Sequence, residues 1–344
     1  MLFRCKLSCL AHLSLWAIGL VLSCLAPFGA SAVVDANSFS NTNAPPDGSP
    51  WANVGQIGGG ASGVYIGGGW VLTASHVGVG TIVLAGSPFP PDGKSLRLTN
   101  NDGTTTDLIL FHLNSNPPLP SLPLVTNTPT AFTPVDLVGF GLLAGSGQTN
   151  VGVYTGFYWS GSGAKSWGNN KVDLGGTTTV NIGYGNLTAF STDFTAPGTV
   201  GLTAQTSDEA QVAPGDSGGG AFVKAGVSWQ LAGVLDAQGT QVNQPGGTSV
   251  YGDKTYVADV ATYRLQIQSV LAAGPLPALS VNHTGNEAVV SWVDTGLNYT
   301  LQASTSLPAT NWATVSQTQV RSNGQIYVAV PDSSSLRWFR LHSP

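Results

Sequence analysis

Three cysteines are all that this 344-residue chain contains, and Cys5, Cys9 and Cys24 all stand near its start. Downstream of them no disulfide, thiol nucleophile or cysteine-ligated zinc site can form. Glutamate is nearly absent (Glu209 and Glu287), and only 8% of residues are charged. So few strong helix formers exclude a helical bundle, a coiled coil or a doubly wound α/β fold. Lysine and arginine number 12, are scattered singly, and leave a net charge of −5. No basic run exists that could track phosphates, so nucleic acid and anionic membrane surfaces are excluded as partners.

What is abundant points one way. Glycine (45) and proline (21) punctuate a chain that is 42% hydrophobic and carries nine Trp, nine Tyr and twelve Phe. That is too apolar for disorder and too turn-rich for long helices, which leaves an all-β protein. Residues 1–32 read as a secretory leader: Arg4 and Lys6 lead an apolar run from Leu13 to Leu25, and Ala30-Ser31-Ala32 supplies a small-residue cleavage site. Cleavage after Ala32 would start the mature chain at Val33, secreted or periplasmic, with no membrane span left. Residues 33–50 are rich in Asn, Ser, Asp and Pro and read as a surface lead-in.

Short apolar runs then recur between turn signals: Gly63 to Ile66, Trp70 to Thr73, Thr81 to Ala85, Leu108 to Leu113, Pro134 to Phe140, Val151 to Trp159, Thr177 to Ile182, Gly220 to Val223, Trp229 to Leu235 and Thr255 to Val260. This spacing fits a barrel or sandwich. One helical period stands out, from Val260 to Leu271, with Tyr263, Ile267, Val270 and Leu271 on one face. A proline-rich linker, 274–278, precedes residues 279–344, whose alternating runs read as a small β-sandwich module around Trp292, Trp312 and Trp338.

Chemistry concentrates in three places. Gly68-Gly69-Trp70-Val71-Leu72-Thr73-Ala74-Ser75-His76 delivers a histidine at a strand end, where a base is rigidly held yet open to substrate. Pro214-Gly215-Asp216-Ser217-Gly218-Gly219-Gly220 surrounds a serine with glycines that permit a tight turn and converging amides. Between them Asp107 opens Leu108-Ile109-Leu110 and can orient the histidine; Asp102 and Asp136 compete for that role. His112 lacks a second ligand at zinc spacing, so no metal and no cofactor is expected.

Thr73-Ala74-Ser75-His76, Asp107-Leu108-Ile109-Leu110 and Gly215-Asp216-Ser217-Gly218-Gly219, in that order, resemble the chymotrypsin-like (trypsin-fold) serine peptidases of the bacterial secreted type. The resemblance implies two packed six-stranded β-barrels and a closing C-terminal helix over residues 51–273. It also implies Ser217 as nucleophile, His76 as general base and acid, Asp107 as orienting carboxylate, and the amides of Gly215 and Ser217 as oxyanion hole. A serine endopeptidase acting on proteins or peptides through an acyl-enzyme is the function it implies. Asp216 would take the family's buried aspartate position. No Ile-Val-Gly-Gly-like start is present, so a freed N-terminus pairing with Asp216 is not expected; a constitutively formed site, or activation by another contact, is.

For the substrate pocket the resemblance points to Gln211, six residues before Ser217, and to Asp236, which replaces an expected small hydroxyl residue. Contact with His76, preference for a basic substrate residue and a slipped alignment all stay open for Asp236. The other function class is a catalytically silent peptidase-fold protein for binding or adhesion, in which the C-terminal module attaches to a surface, polymer or protein.

Overall fold

The computed structural model describes residues 33–36, 41–145, 147–273, 278–293, 299–307, 311–322, 325–332 and 337–342. The leader 1–32 and linker residues 274–277 lie outside the described residues. After a two-residue strand β1 (Val34–Asp35), the first sheet comprises β2 (Val54–Ile57), β3 (Ala61–Gly67), β4 (Trp70–Ala74), β5 (Ile82–Leu84), β6 (Ser87–Phe89), β7 (Pro91–Thr99) and β8 (Thr105–Leu113). These pair in the order β6-β5-β2-β3-β4-β8-β7.

Further along run β9 (Pro134–Gly139), β10 (Leu142–Ala144), β11 (Thr149–Val151), β12 (Tyr154–Gly163), β13 (Ser166–Lys171), β14 (Thr178–Val180), β15 (Leu187–Asp193), β16 (Ala210–Gln211), β17 (Gly220–Ala225), β18 (Ser228–Gly239), β19 (Thr248–Val250) and β20 (Lys254–Asp259). The second large sheet is ordered β13-β9-β17-β18-β20-β15-β14, and a bridge between Val172 and Thr192 draws its two sides together. Each sheet has seven strands where six were expected, because a three-residue edge strand, β6 or β14, is added to the six. A smaller sheet joins β10, β11 and β19 to β12.

One apolar core joins the two barrels: Val54, Leu72 and Leu110 of the first meet Val138, Phe222 and Val234 of the second. Helix α1 (Val260–Ala273) closes it, starting where Asp259 accepts hydrogen bonds from the Ala261 amide and the Thr262 hydroxyl. Its buried face includes Tyr263 and Ile267, with Val270 and Leu271 partly buried against the same core. The Tyr263 hydroxyl receives the Thr188 amide at 2.9 Å and donates to Asn100 Oδ1 at 3.0 Å, tying the helix to both barrels. Tyr263→Ala is expected to cost about 3–5 kcal/mol, since it removes a buried ring and both bonds; denaturant unfolding would read this as a lower midpoint, and an unchanged midpoint would refute it.

Residues 278–342 carry their own core. A four-stranded sheet built on Glu287–Val293 and Gln325–Pro331 and a three-stranded sheet built on Thr300–Ser304 enclose Val290, Trp292, Tyr299, Leu301 and Val328. Trp292 is buried, whereas Trp312 is half-buried with Arg340 stacked over its ring at 4.4 Å.

The lead-in departs from the surface segment expected of it. Val33, Val34 and Asp35 are buried, and β1 pairs with β16. Asn41 O and Asn43 O accept the backbone and indole N–H groups of Trp167. Two adjacent valines in a polar stretch are too short to show periodicity, but they suffice to fill a gap in a core assembled from distant strands.

Candidate active site

β4 ends at Ala74, and the turn after it presents His76 at the junction of the barrels. Adjacent β8 carries Asp107, because the register pairs Ala74 with Leu108. Asp107 is 1% exposed and engaged at both oxygens: Oδ2 lies 2.7 Å from His76 Nδ1, while Oδ1 accepts the His76 amide at 2.9 Å and the Ser75 hydroxyl at 2.8 Å. Burial pushes this carboxyl up, but the hydrogen bonds from His76 and Ser75 and the nearby imidazole charge outweigh it and hold it below the usual carboxylate range. For His76 burial pulls downward, and the bond to Asp107 with the charges of Asp107 and Asp236 wins, so its pKa is raised. An ionised carboxylate thus holds Nδ1, leaving Nε2 free to handle a proton.

The competing carboxylates sit elsewhere. Asp102 closes an exposed turn with Thr104, and Asp136 lies in β9 beside Asp47 and Ser49. His112 bonds Asp92 and Gly68 O and packs on Trp70 as a structural residue.

Ser217 stands in the turn between β16 and β17. Ser62 of β3 staples that turn to the first barrel: its amide donates to Ser217 O and its hydroxyl to Gly215 O, both at 2.9 Å. Gly218 has φ +85°, and a Cβ there would collide with Ser62 O and Thr73 Oγ1, so only glycine permits this approach. The Ser217 hydroxyl donates to Asp236 O at 3.3 Å, and the Asp236 side chain lies with those of His76 and Asp107 within 4.8 Å. That chain of contacts gathers the expected Ser, His and Asp in one place. Among the described residues the amides of Gly215 and Ser217 donate to no protein acceptor, which leaves them open to an incoming oxyanion.

The two pocket residues separate. Gln211 is fully buried, its amide spent on Lys254 O and the Thr255 hydroxyl, so it forms no part of the pocket wall. Asp236 does border a cavity of about 120 Å³ beside Ser217, whose other walls include Val212, Ala213, Leu235, Ala237 and Gln238. Its carboxyl groups with His76 and Asp107, so of the readings left open the contact with His76 is the one the geometry supports. Within this trio His76 Nδ1 and Asp107 Oδ2 are already bonded to each other.

Two further features had no signal in the sequence. Tyr184, in a Gly- and Asn-rich loop, places its ring 5.4 Å from that of His76, and its carbonyl is held by Arg97. The second lies at the N-terminal side. The Val33 backbone nitrogen donates to Asp216 Oδ2 at 3.3 Å, so the segment at the expected cleavage point does reach this carboxylate although it lacks an Ile-Val-Gly-Gly-like start. Asp216 is inaccessible, and a Cβ at Gly139 or Gly141 would overlap its carboxyl. Burial pushes its pKa up to about 7 against the amides of Ala213, Gly141 and Val33, which lower it.

The family model described as Trypsin matches residues 39–262. No curated protein matches the chain. Among solved structures, human heparin binding protein is 20% identical, with 68% of this chain and 97% of that one covered and a TM-score of 0.43. The active form of the Rv3671c protease from M. tuberculosis is 16% identical, with 71% and 92% covered and a TM-score of 0.42. Since the family match extends across both barrels and into α1, this chain belongs to the trypsin family.

Proposed function

We propose that the chain is a serine endopeptidase that cleaves peptide bonds through an acyl-enzyme. The observation that carries this reading is the 2.7 Å contact between His76 Nδ1 and a buried, ionised Asp107, beside a serine turn with two unengaged amides. Ser217 Oγ attacks the scissile carbonyl carbon while His76 Nε2 takes its proton, after the hydroxyl swings from Asp236 O. The oxyanion of the tetrahedral intermediate is received by the amides of Gly215 and Ser217. His76 then gives the proton to the departing amine, and water, activated by the same nitrogen, releases the acyl group.

The cavity beside Ser217 is walled by Val212, Ala213, Leu235 and Ala237 together with Asp236 and Gln238, and because the Asp236 carboxyl is grouped with His76 and Asp107 rather than free to pair with substrate, an uncharged, apolar substrate side chain is favoured. Peptides with Leu or Val before the cleaved bond should therefore outpace those with Lys or Asp; a profile dominated by a charged residue would refute this.

Leader removal after Ala32 is part of the same proposal, and two observations support it. Val33 has φ +56°, a left-handed conformation that a β-branched residue adopts only under strain. That strain exists only while a peptide bond precedes Val33, since a chain beginning there has no φ to constrain. Among the described residues the buried Asp216 carboxyl also has no cation beside it, and a free α-ammonium at Val33 would supply one. Export and assembly of the serine turn would then be set by one cut.

The direct test is labelling of the mature protein with a fluorophosphonate, mapped by mass spectrometry. Modification at Ser217, lost in His76→Ala, is the expected result. Absence of labelling in protein that begins at Val33 would favour the silent binding protein instead.

A further inference from the structure

A second buried carboxyl at the histidine is not needed for the chemistry just described, and its surroundings are unusual. Asp236 is 4% exposed, and among the described residues neither of its side-chain oxygens has a hydrogen-bond partner. Its carboxyl group nevertheless lies together with that of Asp107 and the His76 imidazole, one atom of each within 4.8 Å of the others. Two carboxylates cannot bond to each other, because both only accept; the contact becomes a bond when one carries a proton. Asp107 is the one that already accepts from His76 and Ser75, so the proton belongs on Asp236.

We propose that Asp236 serves as a neutral carboxylic acid that donates to Asp107 and whose ionisation controls the proton affinity of His76. The inference rests on the peptidase reading for its consequence, and on geometry for its existence. Burial, followed by the charge of Asp107, pushes Asp236 up to about 7, with His76 opposing. The titratable groups that act on it are Asp107 of β8 and His76 beyond β4; the Tyr184 ring lies against His76 from the loop before β15.

The protonation states follow. With Asp236 neutral, one negative charge faces the imidazole. With Asp236 ionised, two do, and they stabilise the imidazolium, which cannot accept a proton from Ser217. Protons therefore leave the Asp236–His76 pair in two coupled steps, and neutral His76 is complete only after the second. Asp236 is a positioning residue by this account: its hydroxyl orients Asp107, and its charge sets the pH at which the base is free.

The test compares the rate of fluorophosphonate labelling with pH in the mature wild type, Asp236→Asn and Asp236→Ser. Either replacement can donate to Asp107 and neither can ionise, so the serine variant covers a failure of the first to fold. The wild type is expected to gain reactivity over two ionisations. Both variants are expected to show one, with the midpoint roughly one pH unit lower. Coincident profiles in wild type and variants overturn the proposal. If the wild type labels at no pH, the peptidase reading has failed, and the imidazole NMR titration of His76 decides the inference alone. Two steps that collapse to one in Asp236→Asn would uphold it, and a single step unchanged by the substitution would overturn it.

Discussion

Ser217→Ala is expected to lower turnover of a peptide substrate by roughly a million-fold, the size of loss seen when a serine peptidase nucleophile is removed. The magnitude follows from the site's construction. Asp107 and His76 would still be paired and the amides of Gly215 and Ser217 still open, but nothing could form the acyl intermediate. The fold should not notice: Ser217 makes one long hydrogen bond through its hydroxyl, and the turn is held by its backbone through Ser62 and Leu235. Thermal unfolding and turnover measured on the same preparation separate these effects. A variant that keeps substantial turnover while remaining folded refutes Ser217 as the nucleophile.

A chain forced to begin ahead of Val33 is the second large effect. Mature protein that starts at Val33 should react with the fluorophosphonate probe, whereas the same protein with two glycines in front should react at least about a hundred-fold more slowly. A loss of that order accompanies removal of even one oxyanion donor. The cause lies in the position of Asp216, between the two residues whose amides face the oxyanion. Without a cation beside it, that buried carboxylate is expected to destabilise the assembled turn. Asp216→Asn in the Val33 protein should show the same loss, since the amide cannot pair with an ammonium ion. Equal reactivity in all three proteins would mean that the turn assembles without the N-terminus.

Much of the fold was legible because it is local. Runs such as Leu108 to Leu113 and Trp229 to Leu235 are apolar and bounded by turn residues, and each lies within a strand, β8 and β18. The helix from Val260 was visible through the spacing of Tyr263, Ile267, Val270 and Leu271, and these are the residues that face the core. Strands that escaped notice were those whose partners rather than their residues make them strands. β7 contains Pro91, Asp92, Gly93 and Lys94 and pairs only with β8 at the sheet edge, where exposed polar residues are tolerated. β13, Ser-Trp-Gly-Asn-Asn-Lys, is similarly polar and is held by its ladder to β9.

The candidate site divides the same way. The short segments around His76 and Ser217 carry their chemistry in adjacent residues, so a histidine at a strand end and a serine among glycines could be read from order alone. Gln211 and Asp236 could not be assigned that way, because sequence distance from Ser217 does not say which way a side chain turns. Gln211 turned into the second barrel to meet Thr255, and Asp236 turned toward the imidazole.

The sequence by itself determined a β-rich chain with no cysteine after Cys24, the helix that follows the second barrel, and the residue types needed for proton transfer and nucleophilic attack. Only the tertiary structure decided that Val33 meets Asp216 across 183 residues, that Ser62 locks the serine turn, and that a second carboxyl shares the environment of Asp107. Periodicity and turn chemistry act between neighbours along the chain. Contacts of this kind depend on how two barrels pack, and on a burial that turns an ordinary carboxylate into a group demanding a cation or a proton.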